Sequence, residues 1–259
     1  LAGVFLCPHR RDKIDIETSP ITGLTWGVYE QNLLKVIEPS KIMSMAWKWL
    51  GERPVQVKAL PDYRGYKAGR IDDEALVREV WSVLDEADIV IAHNGDSFDV
   101  KKLNARFVFY RLGAPSNYKQ IDTKKVAKRY FRFDSNKLDW LGDYLGEGRK
   151  VSTGGFDLWN DCMAGDLAAW GRMKRYNVGD INLLEKIYLR LRPFMADHPN
   201  TNLMVDKVAH GMSCPTCRST NVQARGYAVT KVSKRQRYQC MDCASWSNGP
   251  IKPQKIGLR

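Results

Sequence analysis

No apolar run in these 259 residues approaches the roughly 18 residues a bilayer-spanning helix needs, so no membrane association is expected. The opening Leu1–Cys7 stretch is apolar but has neither a basic start nor a small-residue cleavage site, so no signal peptide is expected. Internal repeats and low-complexity tracts are also lacking. Cysteine is sparse and uneven. Four of the six form two C-x-x-C pairs, while Cys7 and Cys162 stand alone. That pattern excludes the disulfide framework of a small secreted protein and points to a reduced, cytoplasmic one. Acid is short too: 29 Asp and Glu against 41 Lys and Arg leave a net charge of +12 and a pI near 9.4. A surplus of that size favours a polyanionic partner.

What is there reads as globular. Hydrophobic residues make up 44% and charged residues 27%, enough for a real core. The length suits one ordinary domain plus a small module. Charge separates the two. From Asp206 to the end, ten Lys and Arg face two acids, +8 of the +12. The helical pattern stops around His198-Pro199-Asn200, which predicts domains over residues 1–205 and 206–259.

Patterning predicts an α/β domain. Asp15 and Glu17 lie on a short strand that leads into Gly23–Val28, and Lys41–Leu50 alternates like a second strand. Asp72-Asp73 caps a predicted helix over Glu74–Ala87, with Leu76, Val77, Val80, Trp81, Leu84 and Ala87 as one apolar stripe. Ile89–Ala92 reads as a buried strand, Val100–Leu112 as a helix, and Ile121 as the start of another strand-to-helix step. Asp166–Met195 reads as two helices broken near Gly179.

Four acids sit in three clusters: Asp15 and Glu17 in KIDIETSP, Asp99 in IVIAHNGDSFDV, and Asp180 in RYNVGDINLL. Carboxylates two apart on a strand share a face, and Tyr176 shares a helix face with Asp180 four residues on. Gathered together, four carboxylates stay ionised only if cations join them. Hard divalent ions with oxygen ligands, in pairs about 3.5–4 Å apart, are the recurring device for phosphodiester chemistry. Singly, each motif has a bland reading; Asp99, for one, could be only a helix N-cap. In this order the carboxylates read as a metal-dependent nuclease.

Asp15-Ile16-Glu17-Thr18, Asn94 to Phe98-Asp99, and Tyr176 to Asp180 resemble the DEDD superfamily of 3′–5′ exonucleases in its tyrosine-bearing branch. The resemblance covers about the first 195 residues, and the layout is similar to stand-alone exonucleases of bacteriophages. It implies a ribonuclease-H-like fold with a mixed five-stranded sheet, and two Mg²⁺ or Mn²⁺ ions. Asp15 would bridge both ions, and Glu17 and Asp180 would hold the one carrying the attacking water. Asp99 would act through waters on the second, and Tyr176 would orient the nucleophilic water. Thr18 would meet the terminal nucleotide. Asn94 is a candidate substrate contact that also reads as a turn-fixing amide, and Phe98 reads as core.

Other residues carry weaker signals. Lys150 with Thr153-Gly154-Gly155 is a candidate phosphate contact, although a plain surface loop is the default reading. Asp122 reads as a cap, His93 as a hydrogen-bonded core imidazole, and Trp47 and Trp49 as sheet packing. Cys7-Pro8-His9 is half a metal site without a second half nearby. At the C-terminus, Cys214, Cys217, Cys240 and Cys243 form two knuckles with 22 intervening residues, the pattern of a structural Zn²⁺ ribbon. Between them, Arg and Lys interleave with Tyr227 and Tyr238, which suits phosphate contact and base stacking. A 3′–5′ exonuclease whose ribbon grips nucleic acid, DNA favoured over RNA, is the reading that results. A structure-specific endonuclease of the junction-resolvase kind and a non-catalytic nucleic-acid-binding adaptor are the alternatives; Tyr176 speaks against the first and the intact acids against the second.

Overall fold

A computed structural model describes residues 11–251 except 28, 30, 31, 53 and 205–211. Cys7-Pro8-His9 and the expected boundary at 205 lie outside the described residues. Strand β1 (Arg11–Thr18) is the middle of a five-stranded sheet. After it, β2 (Thr22–Leu24) and β3 (Lys35–Glu38) pair as a separate two-stranded antiparallel ribbon. Strands β4 (Ile42–Trp49) and β5 (Gln56–Ala59) then continue the main sheet, β4 antiparallel to β1 and β5 antiparallel to β4. Helix α1 (Glu74–Asp85) leads to β6 (Ile89–Ala92), and α2 (Asp99–Phe109) leads to β7 (Lys119–Asp122). These crossovers make β6 parallel to β1 and β7 parallel to β6, in the order β5-β4-β1-β6-β7. The short helices α3 (Thr123–Tyr130), α4 (Leu138–Tyr144) and α5 (Asp157–Ala164) follow, and the long α6 (Leu167–Leu191) closes the other face of the sheet.

Alternation on β1 explains the layering. Ile14 and Ile16 face a core built with Leu76, Val77 and Val80 of α1 and Leu103 and Phe107 of α2. Lys13, Asp15 and Glu17 face the opposite way, toward α6, where buried Lys13 pairs with Glu185 at 3.3 Å. Ile89, Ile91, Leu184, Ile187 and Leu191 form a second core toward the C-terminal end of α6. Trp47 is buried, and Trp49 packs against the first core.

Three local expectations need correction. Asp73 occupies the N-cap position of α1 but makes no capping bond. It is fully buried and accepts from Ile42 N at 2.8 Å, from Arg106 Nε at 2.9 Å and from Tyr110 Oη at 2.6 Å, tying β4, α1 and α2 together. A bidentate guanidinium outcompetes a terminal amide for that carboxylate. Helix α6 runs unbroken through Gly179, because its buried face on both sides outweighs the roughly 1 kcal/mol helix cost of glycine. Phe98 is 39% exposed and not core. Helix α2 opens with Asp99 turned inward, which leaves Ser97 and Phe98 on the outside.

Beyond a 3₁₀ turn at Thr201–Met204, β8 (Val222–Val229), β9 (Lys234–Cys240) and β10 (Trp246–Asn248) form a three-stranded antiparallel sheet. It is anchored to the first unit by Thr201 N and Oγ1, which donate to Pro215 O at 2.7 and 2.9 Å, and by Arg11 Nη1, which donates to Thr216 O at 3.0 Å. Among the described residues no helix is long and apolar enough to cross a membrane.

Candidate active site

Asp15, Glu17 and Asp180 each offer an oxygen within 4.8 Å of the others. Strand alternation supplies the first two, and α6, lying across β1, supplies the third. Asp99, the first residue of α2, stands slightly apart; its Oδ1 accepts from Ile16 N at 3.3 Å. Crowding and burial raise the carboxyl groups of the cluster. Asp15 is held well above the usual carboxylate range by burial, then by the charges of Glu17, Asp99 and Asp180. Glu17 is raised to about 8 by burial and then Asp180, and Asp99 to about 6 by burial. Asp180 is raised by burial despite an ammonium beside it. Among the described residues, its buried Oδ1 has no hydrogen-bond partner. A cluster of hard oxygens that cannot ionise together, with one oxygen orphaned, fits a divalent cation.

That ammonium belongs to Lys150. Its Nζ donates to Asp180 Oδ2 and, at 2.9 Å, to Tyr176 Oη, and sits 5.0 Å from the Tyr176 ring centroid. Burial alone would lower this lysine, but Asp180 outweighs it and the net shift is upward. The loop around Lys150 is exposed, as expected, but the lysine turns its ammonium inward to the carboxylates. Two contacts place it: Lys150 N donates to Asp139 Oδ1 at 2.8 Å, and Val151 rests on Gly179, where an added Cβ would lie 3.1 Å from Val151 Cγ2. The glycine that looked like a helix break is the seat of the lysine loop. Tyr176, four residues before Asp180, is raised to about 12 by burial and then Asp180, so its phenol keeps its proton at neutral pH.

Asn177 and Ser44 escaped the sequence reading. Asn177 is fully buried; its Nδ2 donates to Asp15 Oδ2 at 3.0 Å, and its Oδ1 accepts from Ser44 Oγ. Ser44 lies opposite Glu17 in the β1–β4 pairing. The only available signal was Asn177 falling one residue after Tyr176, in the helix that carries Asp180.

The remaining candidates lie around this centre. Thr18 ends β1 at a register shift and, with Pro20, Thr153, Phe156 and Trp159, lines an open pocket of about 420 Å³. Asn94 has a left-handed backbone (φ 73°), and its backbone carbonyl accepts from Ser97 N and Phe98 N in the turn between β6 and α2, while its side-chain Oδ1 accepts from Lys124 Nζ of α3 at 3.1 Å. Asp122 accepts from Lys124 N, Lys125 N and Asn94 N, a cap and turn anchor. His93 bonds Thr123 Oγ1 and Asn136 O, both at 2.9 Å.

In the ribbon, Cys214, Cys217, Cys240 and Cys243 bring their sulfurs within 4.8 Å of one another. The Cys214–Cys243 and Cys217–Cys240 sulfur separations are 3.6 and 3.5 Å. These are too long for disulfides, and close to the roughly 3.8 Å edge of a thiolate tetrahedron around Zn²⁺ with about 2.3 Å bonds. The four thiols fit such an ion.

Comparison with known proteins follows this geometry. None of the curated proteins matches the chain. Among solved structures, it is similar to the family B DNA polymerase from the hyperthermophilic archaeon Pyrobaculum calidifontis, with a TM-score of 0.53 and 18% identity. The alignment covers 74% of this chain and 26% of the polymerase, so the chain spans about a quarter of that protein's length. The likeness is one of fold. A family model for the RNase H superfamily matches residues 55–192, which include Asp99, Lys150, Tyr176 and Asp180. With just over half of its length matched and the mixed sheet and carboxylate cluster in place, the chain belongs to the RNase H superfamily.

Proposed function

We infer that this protein is a nuclease, and specifically a 3′–5′ exonuclease of the tyrosine-bearing DEDD kind, acting on DNA in preference to RNA with two Mg²⁺ or Mn²⁺ ions. The observation that carries the reading is the convergence of Asp15, Glu17 and Asp180 beside Tyr176, with Asp99 close by and an open pocket at Thr18 alongside. Bound divalent ions would supply an activated water and neutralise charge on the scissile phosphate and leaving oxygen. Asp15, Glu17 and Asp180 would hold them directly, and Asp99, set back, would act through water. Asn177 keeps Asp15 in one orientation. Tyr176 donates a hydrogen bond to the attacking water; with a pKa of about 12 it is no general base at neutral pH. Lys150 balances Asp180, and in this reading its ammonium meets a substrate phosphate. Thr18 and the pocket beside it receive the terminal nucleotide.

Residues 206–259 act in this reading as a module organised by one structural Zn²⁺ on its four cysteines, gripping nucleic acid through its basic strands. Small modules of this size lack the core to fold alone and draw stability from the metal. Digestion of a 5′-labelled oligonucleotide with Mg²⁺ tests the function: a descending ladder is expected. A single internal cut would place the protein among structure-specific endonucleases, and no cleavage with any divalent ion would leave a binding protein.

A further inference from the structure

A row of aromatic rings runs over the surface from the ribbon toward the Lys150 loop. Phe131 and Phe133, just after α3, stack with centroids 5.0 Å apart. Phe131 also meets Phe194, in the turn after α6, at 5.0 Å. Phe133 meets Tyr144 at 5.7 Å, and Tyr144 stacks on Trp140 of α4 at 4.7 Å. Core packing accounts for Phe131, Phe133 and Trp140, which lean on the second core. It does not account for Phe194 and Tyr144, which are 59% and 62% exposed. At the ribbon end, Trp246, 49% exposed, shares with Phe194 a groove of about 1000 Å³ that also carries Arg190 and Arg192. Arg237 lies 5.2 Å from the Trp246 ring centroid. Two acids lie at this rim: Asp242 is held by Ser219 and Asn221, and Glu147 pairs with exposed Arg190 at 3.7 Å, a contact that a phosphate would replace. At the other end, Trp140 follows Asp139, whose carboxylate accepts from the backbone N of Lys150, the residue whose Nζ reaches Asp180 and Tyr176.

We propose that this row is the path of a single strand of nucleic acid, its bases stacking on the exposed rings and its phosphates meeting Arg190, Arg192 and Arg237. The proposal rests on the exonuclease reading and extends it: the segment upstream of the terminal nucleotide leaves the acidic site over Trp140 and Tyr144 and reaches the ribbon at Phe194 and Trp246. Cationic side chains in a chain of net charge +12 favour a polyanion over an apolar protein segment. A single strand is required because a duplex hides its base faces, whereas rings in line take unpaired bases of any sequence.

The test is binding of phosphorothioate oligonucleotides to the full-length protein by fluorescence anisotropy. A strand of about twelve nucleotides covers a path of this kind, and a trinucleotide reaches only the acidic end. Tyr144→Ala and Phe194→Ala should each weaken the longer strand roughly tenfold, the loss typical of one base–aromatic stack, and leave the trinucleotide unchanged. Tyr144→Trp and Phe194→Trp should keep full affinity. Both side chains are exposed, so truncation spares the core. Unchanged affinity of the longer strand in both alanine variants overturns the path. So does unchanged affinity accompanied by loss of a wild-type dimer in sedimentation, which would make the groove an interface between copies. Wild-type protein that binds the longer strand in this length-dependent way yet cuts no substrate would overturn the nuclease reading and leave the path standing.

Discussion

Asp15 is the residue on which the site converges: Glu17 flanks it, Asp180 faces it from α6, and Asn177 holds its second oxygen. Asp15→Ala should abolish cleavage while the protein stays folded, and near-normal Mg²⁺-dependent turnover in that variant would refute the metal assignment. Asn177→Ala leaves all carboxylates in place but frees Asp15. An orienting partner of a metal ligand is usually worth about 10–100-fold in metal affinity or activity, so the Mg²⁺ titration should shift by that factor. An unshifted titration with lower melting temperature would reduce Asn177 to a packing role. Tyr176→Phe removes one donor to water and no ligand; turnover should fall yet remain measurable, with oligonucleotide affinity unchanged. The carboxylates also set a pH dependence. Glu17 titrates at about 8 in the folded, metal-free protein against about 4.5 when unfolded, so the native state binds the extra proton between those values. Stability of the metal-free protein should therefore decline as pH rises through that window. Stabilisation by Mg²⁺, which needs the ionised cluster, should grow over the same range. Thermal melts with and without Mg²⁺ from about pH 5 to about 8 check this, and a constant Mg²⁺ increment would contradict it.

Helix α6 carries Tyr176, Asn177 and Asp180 on one side and seats the lysine loop on Gly179. Glycine inside a helix costs about 1 kcal/mol relative to alanine, so two glycines in α6 make a controlled comparison. Gly171 is open, its added Cβ meeting nothing nearer than Arg175 Nη1 at 3.7 Å. Gly171→Ala should raise stability by roughly 0.5–1 kcal/mol with turnover unchanged. Gly179→Ala gains the same helix propensity but pushes on Val151, so it should move Lys150 and lower turnover without lowering the melting temperature. Equal turnover in the two variants would show that the loop position does not matter.

At the scale of the whole molecule, charge is divided unequally. Residues 206–259 hold +8 of the +12 and none of the clustered carboxylates. Their removal should weaken nucleic-acid binding and flatten its salt dependence, by about 0.7 in logarithmic slope for each single-strand phosphate that is no longer neutralised. Turnover at saturating substrate should persist. Cys214→Ser with Cys217→Ser should mimic the truncation, and purified wild-type protein should contain one equivalent of zinc. An unchanged salt slope would assign the ribbon to protein docking, and absence of zinc would refute the metal-organised module.

Alternation along KIDIETSP and the i, i+4 spacing of Tyr176 and Asp180 were legible because strand and helix periods are local properties that dictate which side chains share a face. The two C-x-x-C knuckles were legible for a similar reason: ligand spacing is itself sequence. Pairings between distant segments were not. Asp73 looked like a cap because its true partner, Arg106, lies 33 residues away. Gly179 looked like a break because Val151 arrives from a separate loop. Lys150 joins the site only when that loop folds onto α6, and Asn177 reads as an ordinary helix residue until β1 is laid beneath it. Residue type and period determined the chemistry this chain carries; the crossing of α6 over β1, held by buried contacts far apart in sequence, decided which groups perform it together.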